Sequence, residues 1–231
     1  MTSKKVVYLS SAIFGAIGIL VSVVIIAMNG GFSGPGPSIL NPPTSKDQWS
    51  IGSNIVDGLN LTYSLTSIGE ESSLRGSIVS IKFHELKDKW NINFKINNGS
   101  VVKETSANFS KKQLLITDPI TQENEKFIQP IESSILAIRD IARESKYLVV
   151  GAVWDKIYTG SSTIDVKIAN TDTISISKDS YKVYVLQSKV GNSISKIYLN
   201  KDLPLPIKAD VYDENDKVVY QYELQSVSKM K

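Results

Sequence analysis

LPLPIKADVYDENDKVVYQYELQS, Leu203 to Ser226, is the stretch on which the fold turns. Leu205, Ile207, Ala209 and Val211 stand at every second position and share a face, and so do Val218, Tyr220, Tyr222 and Leu224. Successive side chains of a strand point to opposite faces, so each run has one apolar and one wet side. Between them, DENDK is made of residues that hydrogen-bond their own backbone, which marks a turn. Pro204 and Pro206 lack an amide donor and belong at the start of the run or on an edge. The stretch is expected to be a hairpin that completes a sheet near the end of the chain.

Working outward, the same period of two recurs. Trp90, Ile92, Phe94 and Ile96 alternate with Asn91, Asn93, Lys95 and Asn97, and Asn98-Gly99 supplies a tight tip before the return run VVKETSANF. LNLTYSL, SIVSIKFH, YLVVGAVW, STIDVKIA, DTISIS, YKVYVLQSKV and ISKIYLN read alike. Strands at hairpin spacing predict an antiparallel sheet, a sandwich or a partial barrel. One helix is expected within PIESSILAIRDIARESK, where Ile131, Ile135, Ile138 and Ala142 have helical spacing. The fold class is therefore α+β and mainly β, a curved sheet or partial barrel with one packed amphipathic helix.

The amino-terminal end differs. Val6 to Met28 carries no charge over 23 residues, about 34 Å as a helix against a hydrocarbon core of about 30 Å. Lys4 and Lys5 precede it and the next charge is Lys46, so the positive-inside rule leaves the short end cytoplasmic and exports the rest. A cleavable signal peptide is the alternative, with a weak cut site at Gly31-Phe32-Ser33, but the apolar run is long and favours a retained anchor. Ala12 with Ala16 and Gly18 with Ser22 have the spacing of helix-pairing faces. The expected organisation is a cytoplasmic end at 1–5, a transmembrane helix at 6–28, a Gly/Pro/Ser-rich tether at 29–48 and an extracytoplasmic β-domain at 49–231.

Composition narrows the chemistry. A formal net charge of +3 with interspersed acids and lysines makes no basic patch for nucleic acid. The absence of cysteine removes disulfides, thiolate catalysis and sulfur-ligated metals. The single histidine, His84, has no second histidine or cysteine to join it in a metal site or a triad. Asp210, Asp213, Asn215 and Asp216 offer hard oxygens, but without the spacing and glycine of a calcium loop they read as turn residues. Trp49, Trp90 and Trp154 read as core. No catalytic residue and no cofactor is expected. Three sequons remain, Asn60-Leu61-Thr62, Asn98-Gly99-Ser100 and Asn108-Phe109-Ser110, as candidate N-glycosylation sites; Asn60 on a polar face and Asn98 at a turn are both expected to be reachable by a glycosyltransferase.

YLVVGAVWDKIYTG, IESSILAIRDIAR and SKIYLNKDLPLPIKADVYDENDKVVYQYEL together resemble membrane-anchored envelope proteins of ammonia-oxidising archaea, a likeness spanning most of Trp49 to Ser226. It implies an archaeal origin and an extracytoplasmic site, with no activity to carry over. Over the last forty or so residues the order of strand, Leu-Pro, strand, turn and strand is similar to lipoprotein-carrier-like half-barrels, in which a curved sheet holds acyl chains or peptides under helices. Tyr198 stands where those proteins often have Trp, and the turn has Asn215-Asp216 in place of Asp-Gly. The leading expectation is a single-pass envelope protein whose β-domain binds partners or gives structure, with the membrane and envelope proteins or lipid as partners. The alternative is a lipid or hydrophobic-ligand carrier, which needs a lined cavity of several hundred Å³. An anchored enzyme would need acids such as Asp155, Asp165 or Asp210 to converge in a cleft.

Overall fold

The computed structural model describes residues 44–68, 74–159 and 162–229. A short 3-10 turn at Ser45–Asp47 leads into β1 (Gln48–Trp49), then β2 (Leu59–Ile68), β3 (Ile78–Glu85), β4 (Lys89–Asn97) and β5 (Val102–Ser110). Two helices follow, α1 (Gln122–Glu132) and α2 (Ile138–Ile141), then β6 (Lys146–Tyr147) and β7 (Val153–Thr159). The chain finishes with β8 (Ser162–Ile176), β9 (Asp179–Val190), β10 (Ser193–Leu199), β11 (Lys208–Tyr212) and β12 (Val218–Lys229).

Ten strands form one antiparallel sheet in the order β5-β4-β3-β2-β12-β11-β10-β9-β8-β7, and β1 pairs with β6 apart from it. Hairpins run outward from β2 to β5 and inward from β7 to β12. The two halves meet where β12 lies against β2, with Leu224 opposite Tyr63 and Val227 opposite Leu61. The sheet also coils. β8 and β12 stand four places apart, which in a flat sheet is about 19 Å, yet their Cα atoms approach within 8 Å. At the tip of the β8–β9 hairpin, the Ser177 hydroxyl donates to the Gln225 carbonyl at 3.2 Å. Bulges in β2, β8 and β12 supply the extra bend and twist.

The alternation read from the sequence is the alternation of burial. Leu59, Leu61, Tyr63 and Leu65 of β2, Val79, Ile81 and Phe83 of β3, and Ile92 and Phe94 of β4 lie in the core. The terminal hairpin pairs Ala209 with Tyr222 and Val211 with Tyr220, all buried. Pro204 and Pro206 lie at the entry to the terminal hairpin. Residues 203–207 form the buried connection before β11 and its strand pairing starts only at Lys208. Their carbonyls are used: Leu203 accepts from Trp49 Nε1 at 3.0 Å, Pro204 from the Gly52 amide at 3.0 Å, and Pro206 from the Tyr63 hydroxyl at 3.0 Å. Proline suits a buried connection because it brings no amide that would need a partner.

Three expectations need correction. The single helix over Pro130 to Lys146 is two helices: α1 begins earlier, capped by Thr121, whose hydroxyl accepts from the Asn124 amide, and α2 follows only after turns at 133–137. The strand over Tyr147 to Trp154 is broken by a turn in which the Ala152 amide donates to the Val149 carbonyl and Gly151 takes φ +92°. STIDVKIA and DTISIS are one strand, β8, with a bulge between Ile168 and Asn170. Ahead of Trp49, the Asp47 carbonyl accepts the Leu148 amide and Gln48 pairs with Tyr147. Among the described residues no helix is long and apolar enough to cross a membrane; Val6 to Met28 and the tether as far as Pro43 lie outside them.

Candidate functional site

β5 and β7 are the two edges of the sheet, so the residues between them must travel from one edge to the other. They begin by protecting the first edge. The Ser110 amide donates to Leu115 and the Thr117 amide to Asn108, so the chain doubles back along the end of β5. Lys103 then pairs with Glu123 at 2.6 Å and lies over the Phe127 ring. Covering an edge in this way removes a template for unwanted pairing.

The helical path then bends. Pro130 has no amide, and the hydroxyls of Ser133 and Ser134 both donate to its carbonyl, at 3.2 and 2.6 Å. Such local bonds compete with helical ones and end α1. Across the bend, Arg139 pairs with Glu132 at 2.8 Å and donates to the Leu114 carbonyl at 3.0 Å. Both charged side chains are largely shielded from water, so the pair holds the bend more firmly than a surface pair would. Ile128, Ile131, Ile135, Leu136 and Ile138 are buried from this segment. Each contributes about 2 kcal/mol of apolar burial.

A cleft remains beneath the bend. Ser133, Ala137 and Ile141 roof it, and its floor takes Val166, Leu186, Ile197, Val211 and Tyr220 from five successive strands. Its volume is about 30 Å³, room for one or two waters. Ser188 and Ser195 add hydroxyls to the floor, and Ser195 is occupied by β11, donating to the Tyr212 carbonyl and accepting its amide at 3.0 Å. Burial holds the Tyr220 hydroxyl well above its ordinary pKa, and Asp140 adds to the effect. Burial does the same for Tyr222, with Tyr220 and Tyr63 adding to it, and for Tyr63 itself. These phenols stay neutral at physiological pH. The cleft offers apolar contact and no charged group.

The residues singled out from the sequence are spread over the molecule. Asn60 lies on the outer face of β2, half-buried, its Oδ1 accepting from the Ser80 hydroxyl at 2.7 Å. Asn108 is half-buried on β5; its Nδ2 donates to Asp118 and its Oδ1 accepts from Asn91 Nδ2 at 2.9 Å. Asn98 is exposed at the β4–β5 tip. His84 is on the outer face of β3, with Nδ1 4.0 Å from Asp57. Asp210 accepts from Gln221 at 2.8 Å, and Asp213 caps its own turn by accepting the amides of Asn215 and Lys217. Asp155 and Asp165 are exposed on β7 and β8. Among the described residues no three His, Cys, Asp or Glu side chains converge where a metal ion could sit.

One cluster escaped the sequence reading. Lys89 donates to Asp118 at 2.8 Å, and Asp118 also receives Asn108, which is bonded to Asn91. The hydrogen bond from Lys89 is the first cause that holds Asp118 below the usual carboxylate range, and the bond to Asp118 raises Lys89. Asn91 and Asn108 are directly opposed across β4 and β5, a register that alternation alone does not reveal. Compared with known proteins, the chain matches no family model, no curated protein and no solved structure.

Proposed function

We propose that this chain is a single-pass, membrane-anchored extracytoplasmic protein whose β-domain binds partners or gives structure in the cell envelope without performing chemistry. Support comes first from the uncharged Val6 to Met28 stretch behind Lys4 and Lys5, which has the length and flanks of an anchor. The likeness to archaeal envelope proteins agrees with it. The observation that carries the non-enzymatic part is the filling of the sheet's inner face by the chain's own helical segment. What remains there is a small cleft with largely apolar walls and the neutral Tyr220 phenol, poorly suited to acid–base work.

Fractionation combined with protease shaving of intact cells is the test. The chain is expected in the membrane fraction, with residues after the tether cut from outside. Recovery wholly in the cytosol overturns the reading.

One observation favours a second reading, a carrier for a hydrophobic ligand in a curved sheet or partial barrel. The cleft lies between the bent segment and five strands, and moving that segment aside would uncover an aliphatic trough. At about 30 Å³ the cleft does not hold an acyl chain as it stands. Native mass spectrometry after incubation with phospholipid vesicles separates the two readings: bound lipid favours the carrier, and a bare chain favours the structural domain.

A further inference from the structure

We infer that Asn98 is the N-glycosylated residue of this protein and that Asn60 and Asn108 remain unmodified; the inference rests on the extracytoplasmic reading above. By alternation and turn position Asn60 and Asn98 are both expected to be reachable; the fold separates them. At Asn108 both ends of the amide are engaged, Nδ2 with Asp118 and Oδ1 with Asn91, so a glycan there would break two bonds of a half-buried network. Asn60 lies on β2, an interior strand with β12 and β3 on either side, and its Oδ1 is held by Ser80.

Asn98 is the reverse. Its Oδ1 accepts the Ser100 amide at 3.2 Å and the Val101 amide at 2.9 Å, which fixes the side chain and leaves Nδ2 without a partner among the described residues. A methyl built on the neighbouring Gly99 would meet nothing within 4 Å, so the tip stands in open space. Exposed aliphatic side chains surround it: Val101 at 59%, Val102 at 56% and, opposite Asn97 in the ladder, Ile78 at 41%. Apolar side chains exposed on an exported domain invite association, and a sugar chain at Asn98 would shield those beside it.

The transfer is a balanced substitution. Asn98 Nδ2 attacks the anomeric carbon of a lipid-pyrophosphate-linked oligosaccharide, forming the C–N bond. The bond from that carbon to phosphate oxygen breaks, the lipid pyrophosphate leaves with the electron pair, and the amide proton passes to a base of the transferase.

The full chain is to be expressed in a host whose secretory membrane carries an oligosaccharyltransferase, with peptide mass spectrometry after amidase release in heavy-oxygen water. Label is expected at residue 98 alone, lost to background in Asn98→Gln and in Ser100→Ala, and retained in Ser100→Thr. Ser100→Ala keeps the Asn98 side chain and so separates loss of the sequon from damage to the tip. Label at 60 or 108, or a glycan surviving in both loss variants, overturns the proposal. A chain cut by protease from outside yet unglycosylated overturns Asn98 alone; a shielded and unglycosylated chain overturns the extracytoplasmic reading with it.

Discussion

Asp118 shows how one residue ties two strands together and makes stability depend on pH. Lys89 at the start of β4 and Asn108 of β5 both bond to it, and Asn91 of β4 bonds to Asn108. Because the Asp118 pKa is depressed in the folded state, its contribution is present above the usual carboxylate pKa of about 3.9 and is lost as pH falls through its lower folded value. Lys89 is raised, so its share is complete below about pH 10.4 and is lost as pH rises through its folded value. Asp118→Asn should flatten both limbs of a plot of melting temperature against pH, relative to the parent chain. Added salt should shrink the difference, since both groups are open to solvent. Limbs of equal slope in the two proteins would show that the pair has no such role. Buried polar atoms elsewhere behave differently: Tyr63 and Trp49 are tied to the carbonyls of Pro206 and Leu203, and these bonds anchor the Leu-Pro-Leu-Pro connection within the core.

At the scale of elements, the interruptions separate what propensity allows from what the fold requires. YLVVGAVW has the composition of a strand, yet the chain turns at Val149–Ala152 so that Trp154 can stack on Trp49 at 5.9 Å and donate to the Tyr147 carbonyl at 2.8 Å. The turn needs a positive φ at its third residue, which glycine adopts without strain. Gly151→Ala should cost about 1–2 kcal/mol. The space around residue 151 is open, so the whole effect is backbone strain without a clash. Urea denaturation followed by tryptophan fluorescence measures it, and an unchanged midpoint would mean that the turn relaxes freely. The bend between α1 and α2 follows the same logic: Pro130, Ser133 and Ser134 end one helix so that Ile135, Leu136 and Ile138 can all reach the core.

For the whole molecule, the seam between β2 and β12 matters most. It joins the two sets of hairpins, one built from the first part of the domain and one from the last. Deleting residues 218–231 would expose β2 and β11 as new edges and uncover Tyr63, Leu61 and Ala209. The truncated chain should show no cooperative urea transition, whereas the full chain should show a single one. A sharp transition after truncation would mean that the two halves fold independently. The same seam limits what could be read in advance. Individual strands and their buried faces were legible at Leu59 to Leu65, Trp90 to Ile96 and Val218 to Leu224, because alternation is local. The outward face of Asn60 was legible too, but the partners of Asn60 and Asn108 were not, because Ser80 and Asp118 are brought in by strand pairing and by the chain doubling back along β5.

The amino-acid sequence by itself determined that this domain is built of amphipathic strands, since the period of two in its apolar residues suits one face of a pleated strand. It determined the terminal hairpin too, whose turn residues make their own bonds. Only the tertiary structure decided where the helical segment bends, that β12 closes on β2, and what holds the asparagines of the three sequons. Those outcomes depend on burial and pairing between residues far apart in the chain, and no local period records them.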